Sequence, residues 1–207
     1  MYDASNTIEQ FLNAAAAKQP APGGGSVTAL AGALAASMGE MVLNYSLGRK
    51  SLAAHAPAFQ SALAEFHRLR AMMLQLMAED QLAYEAITAL RKLPEDSPER
   101  IAKYAPTLLA CIRVPEAMAA GGLAALELCD RLVETANVYL LSDLAVCAEL
   151  AMATVRCGIY NVRVNLGDVT EAADKASMLK TTGAILSRAT GLIREVIPRI
   201  WARVEKP

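Results

Sequence analysis

The chain has 207 residues, of which 54% are hydrophobic and only 5% are aromatic. This length is enough for one well-filled core, whereas two independent domains would each be undersized, so we expect a single domain over residues 1–207. The 20 basic and 21 acidic residues nearly cancel and are spread along the chain, which leaves no basic face for a nucleic-acid backbone. We therefore expect no nucleic-acid partner.

The apolar residues favour helices over strands. Alanine, leucine and methionine, which dominate, lose little side-chain freedom in a helix, so we predict an all-α fold, a bundle of long helices. The mean hydropathy of +0.27 is high, yet the charge-free apolar run over residues 26–39 is too short to cross a bilayer. The polar, acidic N-terminus does not resemble a signal peptide. We expect a cytoplasmic protein without membrane association, whose excess apolar surface lies between subunits.

The cysteines do not form a recognisable metal or disulfide motif. None of them makes a C-x-x-C pair, and the chain has only two histidines. We expect reduced thiols in the core and no metal site. The four residues are Cys111, Cys129, Cys147 and Cys157.

Helix-start and helix-stop signals divide the chain into six predicted helices. The predicted ranges are 7–18, 27–47, 57–93, 98–134, 140–165 and 170–204. Thr7 and Gln10 fit a capping box at the start of the first helix. Ser26 is a suitable N-cap for the second helix, and Ser97 caps the fourth, with Pro98 at its first helical position.

Two aspartates lie within apolar stripes of the predicted helices. The apolar neighbours are Met73, Leu76, Met77, Ala83, Tyr84 and Ile87 for Asp80, and Tyr139, Leu140, Val146, Cys147 and Leu150 for Asp143. A buried carboxylate either changes its pKa or meets a cation or a hydrogen-bond donor, which is typical of a functional site. The alternative is that each aspartate caps a helix or pairs with a structural arginine. Because there are two such cases, we expect Asp80 and Asp143 to face one shared cavity.

The glycine segment Gly23, Gly24 and Gly25, followed by Ser26, opens the second helix. The free amides and the dipole at a helix start can hold an anion, with Lys50 as a further cation, although such loops are also common as plain connectors. No Gly-Lys-Ser/Thr follows, so the segment is not a phosphate-binding P-loop.

Asn161 and Asn165 lie one turn apart on the fifth predicted helix, so they present their amides to the same side. An amide pair of this kind can bind a ligand or simply make a hydrogen bond between helices.

Together these segments resemble the formiminotransferase-cyclodeaminase C-terminal domain family, which includes stand-alone methenyltetrahydrofolate cyclohydrolases. The stretch 20–26, with the small-residue helix after it, looks like the most specific motif of the family, and the stretch 44–50 is similar to its Asn-Leu-Thr-Ile-Gly-Lys-Lys segment. Shorter matches follow in the expected order at 79–84, 93–94, 142–144 and 161–165. The chain departs from the family at Tyr45, Leu52 and Tyr84, where the family has Leu, an aromatic residue and Phe.

The resemblance implies an all-helical homodimeric enzyme that acts on tetrahydrofolate one-carbon adducts without a metal or redox cofactor. The reacting carbon of these substrates is positively charged, so Asp80 or Asp143 would stabilise that charge or relay a proton. The substrate-binding residues would be Asn44, Asn161 and Asn165 at the pterin edge, Gly23, Gly24, Gly25, Ser26 and Lys50 at the glutamate tail, and Tyr84 in the pocket wall.

Three functions remain open from the sequence. We expect hydrolysis of methenyltetrahydrofolate to formyltetrahydrofolate, because the chain shows no formiminotransferase domain that would supply a formimino substrate. The second alternative is a formiminotetrahydrofolate cyclodeaminase, which releases ammonia. The third is a non-catalytic helical interaction module, in which the small-residue helix is only a dimer surface and both aspartates are structural.

Overall fold

The structure, a computed structural model, describes residue 3 and residues 5–205. It contains six α-helices: α1 (Ile8–Ala16), α2 (Gly24–Asn44), α3 (Ala56–Arg91), α4 (Pro98–Leu132), α5 (Leu141–Asn165) and α6 (Ala172–Val204). Short 3₁₀ turns cover Lys50–His55, Val138–Leu140 and Leu166–Asp168. The described residues form no strand, so the predicted all-α class is confirmed.

The capping signals of the sequence explain most helix starts. The Thr7 side chain accepts from the Gln10 amide, and the Gln10 side chain accepts in return, which confirms the predicted capping box. Ser97 caps α4, with Pro98 in its first turn, also as predicted. The prediction that Ser26 caps α2 was wrong: Gly23 is the N-cap, and Ser26 lies inside the first turn. The Ser26 hydroxyl instead donates a hydrogen bond to a carboxylate on α3.

Helix α5 packs against α2, α4 and α6, while α3 packs against α2 and α4, and α4 also packs against α6. The largest hydrophobic cluster joins these five helices, and its bulkiest fully buried side chains are Leu43, Phe59, Phe66, Leu126, Leu141 and Leu144. This close packing of apolar faces holds the long helices in fixed positions relative to one another.

Helices α2 and α5 run antiparallel, so the bundle has two chemically distinct ends. At one end the Asn161 amide donates to Thr28 Oγ1 (3.4 Å), and at the other the Asn137 amide donates to the Tyr45 carbonyl (3.0 Å). We call the first the glycine end, because it carries the glycine segment, and the second the distal end. Asn44 lies about 30 Å from Gly24 along the axis of α2, at a rise of about 1.5 Å per residue.

Three stretches are long and apolar enough to cross a membrane if length and composition alone are considered: Gly24–Asn44, Pro98–Leu132 and Val138–Asp168. Between 50 and 56% of their most apolar windows is buried inside the bundle. Much of this hydrophobicity is therefore used in helix packing. That the protein does not associate with a membrane stays a prediction, because these helices contain few charges.

The cysteines differ in their surroundings. Cys129 and Cys147 are fully buried thiols, and the Cys129 thiol donates to the Cys147 sulfur at 3.4 Å. Cys111 is partly buried and Cys157 is exposed, so the prediction of core positions was wrong for Cys157. Helix α5 turns Cys157 toward its outer face, which is also apolar.

Candidate active site

A cavity of about 250 Å³ lies at the glycine end, between the glycine segment and the helices α3, α4 and α5. The predicted site residues that line it are Gly23, Gly24, Gly25, Asp80, Tyr84, Asn161 and Asn165. They come from three separate parts of the chain. The helix packing therefore brings together most of the predicted site.

Asp80 is the half-buried carboxylate of this cavity. Its Oδ2 accepts a hydrogen bond from Ser26 Oγ at 3.1 Å, and the Ser26 backbone amide also donates to it. Burial raises the pKa of Asp80 above its ordinary value, although both hydrogen bonds from Ser26 lower it. A carboxyl group of this kind holds a proton more readily than an exposed one, which suits it to proton transfer.

Gly25 is needed because the Asp80 carboxylate lies directly against the backbone of α2. A Cβ atom built on Gly25 would stand 2.0 Å from Asp80 Oδ1, far inside van der Waals contact. The first turn of α2 thus receives a carboxylate of the protein itself. A second anion at the same amides would be repelled by Asp80, which argues against the glycine segment as the site of a glutamate tail.

Asn161 and Asn165 are fixed by hydrogen bonds from their amide nitrogens. Asn161 Nδ2 donates to the Cys157 carbonyl at 2.9 Å, and Asn165 Nδ2 donates to the carbonyls of Asn161 (2.9 Å) and Cys111 (3.1 Å). These bonds set the orientation of both amides at the cavity wall. Because both N–H groups of each amide have protein acceptors, the two amide oxygens are the groups that can accept from the N–H donors of a heterocycle.

Tyr84 and Arg91 extend the cavity along α3. Tyr84 lies one turn after Asp80 and is 44% exposed, while Arg91 follows two turns later on the same face. Arg91 was missed in the sequence, although its spacing from Asp80 and Tyr84 keeps the helical period. Among the described residues that line the cavity, only Asp80 and Arg91 have charged side chains.

Three predicted residues lie at the distal end and do not line this cavity, whereas Ser26 contacts the site through its hydrogen bond to Asp80. Asn44 and Lys50 are exposed, and Asp143 is partly exposed in the first turn of α5. Asp143 stands about 27 Å from Asn161 along the axis of α5. Within one chain, Asp80 and Asp143 therefore do not face the same cavity, and a cavity shared between two subunits stays a prediction.

The apolar stripe around Asp143 spans two environments. Leu140 and Cys147 are buried in the core, whereas Tyr139 is 76% exposed and Val146 is 47% exposed. A periodic apolar pattern shows that a face is apolar but not whether the same chain covers it. Asp143, which is partly buried, therefore lies at the edge of the core beside an exposed apolar surface.

Comparison with known proteins places the chain in a family. The model of the formiminotransferase-cyclodeaminase family matches residues 7–184, so the chain belongs to this family, as its motifs indicated.

This chain covers different shares of two curated relatives. A methenyltetrahydrofolate cyclohydrolase of Methylorubrum extorquens is 28% identical over 97% of this chain and 98% of its own length. A formimidoyltransferase-cyclodeaminase of Sus scrofa is 30% identical over 95% of this chain, which spans only 37% of that protein. Among solved structures, the crystal structure of formiminotetrahydrofolate cyclodeaminase from Thermotoga maritima shares the fold, with a TM-score of 0.89 over 97% of this chain and 98% of that one, at 22% identity.

Proposed function

We propose that this protein hydrolyses methenyltetrahydrofolate to formyltetrahydrofolate. The observation that carries the proposal is the Asp80 carboxylate, half-buried and held by Ser26 in a cavity with two oriented amides. The methenyl bridge of the substrate is a cationic amidinium, and a fixed carboxylate in a partly dry site stabilises such charge. The amide nitrogens of Asn161 and Asn165 each make two hydrogen bonds within the protein, so their oxygens supply acceptors for the N–H donors of the pterin ring.

The carboxylate can also transfer the protons of the reaction. A water oxygen attacks the methenyl carbon, and Asp80 accepts one proton of that water. One of the two bridge C–N bonds then breaks, Asp80 returns its proton to the departing nitrogen, and the hydroxyl proton leaves as the formyl C=O forms. The sum is uptake of one water and release of one proton, and no step in it requires a metal or a redox cofactor.

The bacterial methenyltetrahydrofolate cyclohydrolase supports hydrolysis, because this chain spans 98% of it. The chain spans 37% of the pig bifunctional protein and 98% of the Thermotoga maritima cyclodeaminase chain. A formiminotetrahydrofolate cyclodeaminase is the second candidate, because a protonated formimino group presents a similar cation to Asp80. Its support is the overall match to the cyclodeaminase fold.

Two assays on the purified protein separate these candidates. The cyclohydrolase should accelerate the decay of methenyl absorbance without releasing ammonia from the formimino adduct. Ammonia release with no effect on methenyl absorbance would establish the cyclodeaminase instead. If a folate analogue shows no saturable binding, both enzymatic proposals are wrong and a non-catalytic interaction module is the better description.

We also propose that the protein is a homodimer that pairs through the outer face of α2 and α5. Large apolar side chains on this α2/α5 face are exposed: Val27, Leu34, Tyr139, Val146, Tyr160 and Val164 are each at least 46% exposed. The exposed charges Glu149 and Arg156 lie near the middle of α5, where contact with lipid would be costly. A second copy of the chain therefore fits this surface better than a bilayer does, and a solution mass of twice 22.0 kDa would support it.

Such a dimer would explain why the predicted site residues are found at both ends. If the two-fold axis is perpendicular to α2, the two copies run antiparallel, and the distal end of one protomer meets the glycine end of the other. Asn44, Lys50 and Asp143 of a second copy would then complete the cavity that contains Asp80. The complete site would combine both groups of predicted residues.

A further inference from the structure

Arg91 gives the cavity a positive charge at the end opposite Asp80. Asp80, Tyr84, Ile87 and Arg91 all line the cavity and follow one another at helical spacing, so they share one face of α3. Asp80 and Arg91 are about 16 Å apart along the helix axis. The wall formed by α3 therefore has a carboxylate where the reaction is proposed and a guanidinium at its other end.

The guanidinium of Arg91 is held in place by residues outside the cavity. Arg91 Nη2 donates to Asp168 Oδ2 at 2.7 Å, and the Tyr104 hydroxyl donates to the same oxygen at 2.8 Å. Two hydrogen bonds keep the pKa of Asp168 below its ordinary value. The bond from Tyr104 has the larger effect, and the bond from Arg91 has the smaller one. Asp168 thus stays ionised at neutral pH, and its ion pair with Arg91 persists.

This ion pair does not use all the hydrogen-bonding capacity of Arg91. A guanidinium has several N–H donors in a planar fork, a geometry that matches a carboxylate. The Arg91 side chain is 43% exposed, so solvent and a ligand can both reach it. Asp168 and Tyr104 fix the guanidinium before a ligand arrives, which reduces the entropy lost on binding.

The size of the cavity indicates where a long substrate leaves it. A volume of about 250 Å³ is less than the roughly 300–1,000 Å³ of pockets that enclose a drug-sized ligand. A folate is of that size, so the cavity takes its reacting end and the rest extends past the rim. The half-exposed Arg91 lies at this rim.

We propose that Arg91 binds a carboxylate at the anionic end of the substrate and so selects substrates with a charged tail. The inference rests on the proposed function, because it assumes a substrate that is cationic at one end and anionic at the other. It assigns to Arg91 the role that the sequence had suggested for the glycine segment and for Lys50. The glycine segment has no cationic side chain, and Lys50 lies at the distal end of the same chain and does not line this cavity.

The test compares two substrates and three variants of the full-length protein. The substrates are methenyltetrahydrofolate and its diamide, in which both glutamate carboxylates are neutral. We expect the unaltered enzyme to show a KM about tenfold lower for the acid, the usual effect of a hydrogen-bonded charge pair at a partly exposed site. Arg91→Gln should raise the KM for the acid about tenfold, leave the KM for the diamide and both kcat values unchanged, and abolish the preference.

Lys92→Gln is the matched control, because Lys92 is the next residue, is exposed and does not line the cavity. It should keep the full preference for the acid, and Arg91→Lys should keep part of it, since the charge remains without the planar fork. If Arg91→Gln retains the preference, or if the unaltered enzyme turns over both substrates equally well, the Arg91 inference is wrong while the proposed function stands. If the unaltered enzyme turns over neither substrate, the proposed function itself is wrong, and the inference with it.

Discussion

The two ends of the bundle contain similar kinds of residues in very different settings. At the glycine end, Asp80 is half-buried and hydrogen-bonded in a cavity, and Asn161 is fixed beside it. At the distal end, Asn44 and Lys50 are exposed, and Asp143 is partly exposed beside an apolar outer surface. Because α2 and α5 each extend through the bundle, residues on one helix lie about 30 Å apart when they occupy opposite ends. A shared helix therefore does not imply a shared cavity.

The largest effect is expected at the glycine end. Asp80→Asn should lower turnover on the order of a hundredfold or more, because the amide can neither accept the proton nor stabilise the cation as a carboxylate does. The fold should remain intact, since the amide oxygen can still accept from Ser26 Oγ. Steady-state kinetics with methenyltetrahydrofolate, combined with thermal unfolding, would test this, and near-normal turnover would contradict the assignment of Asp80.

The pKa of Asp80 also predicts how the stability of this variant depends on pH. Because burial raises the pKa of Asp80 in the folded state, the folded protein binds the proton more tightly than the unfolded chain does. The stabilising contribution of protonated Asp80 is present below the ordinary pKa of 3.8 and is lost as the pH rises through the raised value. At neutral pH, Asp80→Asn should therefore be at least as stable as the unaltered protein, and this relative gain should shrink in acid.

A second prediction concerns whether the two ends form one site. Asp143→Asn should also lower turnover on the order of a hundredfold, if a second copy brings Asp143 to the cavity of its partner. In a heterodimer of one Asp80→Asn chain and one Asp143→Asn chain, one of the two sites would contain both substitutions and the other would contain neither. The purified heterodimer should then regain about half of the activity.

The heterodimer has clear alternative outcomes. If Asp143→Asn is fully active, the distal end takes no part in the reaction. If Asp143→Asn is inactive but the heterodimer does not recover, Asp143 acts within its own chain, and the composite site is wrong. Each homodimeric variant, prepared with the same two purification tags, is the matched control.

Local signals in the sequence predicted the helices well. Capping residues and prolines act within one turn, so Thr7 and Ser97 located the starts of α1 and α4 without knowledge of tertiary contacts. Ser26 shows where such reasoning stops. Its hydroxyl donates to Asp80 on the neighbouring helix α3, and only the packed structure reveals that this contact replaces a cap.

The sequence also predicted part of the site, because the apolar period of a single helix is a local signal. The apolar period of α3 identified Asp80 as a carboxylate among core residues, and this period belongs to one helix. The placement of Asp143 depends on which face of α5 the other helices cover, and the sequence of a single helix does not contain that information. Arg91 was missed because an arginine in the last turn of a helix is common as a stabiliser of the helix dipole.

The smallest predicted effect tests whether Gly25 is required by the position of Asp80 or by the start of helix α2. In Gly25→Ala, the new Cβ would collide with the Asp80 carboxylate, a short side chain that can rotate away from Ser26. We expect about a tenfold loss of turnover, because the carboxylate remains present but is displaced. Stability should change little, because the roughly 1 kcal/mol by which Ala is favoured over Gly within a helix offsets the loss of the Ser26 hydrogen bonds to Asp80.

Gly23→Ala is the matched control. We expect it to keep its turnover and to lose stability, the opposite of the pattern expected for Gly25→Ala. The nearest atom to its Cβ is 3.9 Å away, an ordinary contact, so turnover should be preserved. Ala is a poorer N-cap than Gly, so the melting temperature should fall by a few degrees, as expected for roughly 0.5–1 kcal/mol. If both variants lose stability and turnover in parallel, the glycine segment acts only as a connector. The crossed result would show that Gly25 is required by the position of Asp80 and not by the helix.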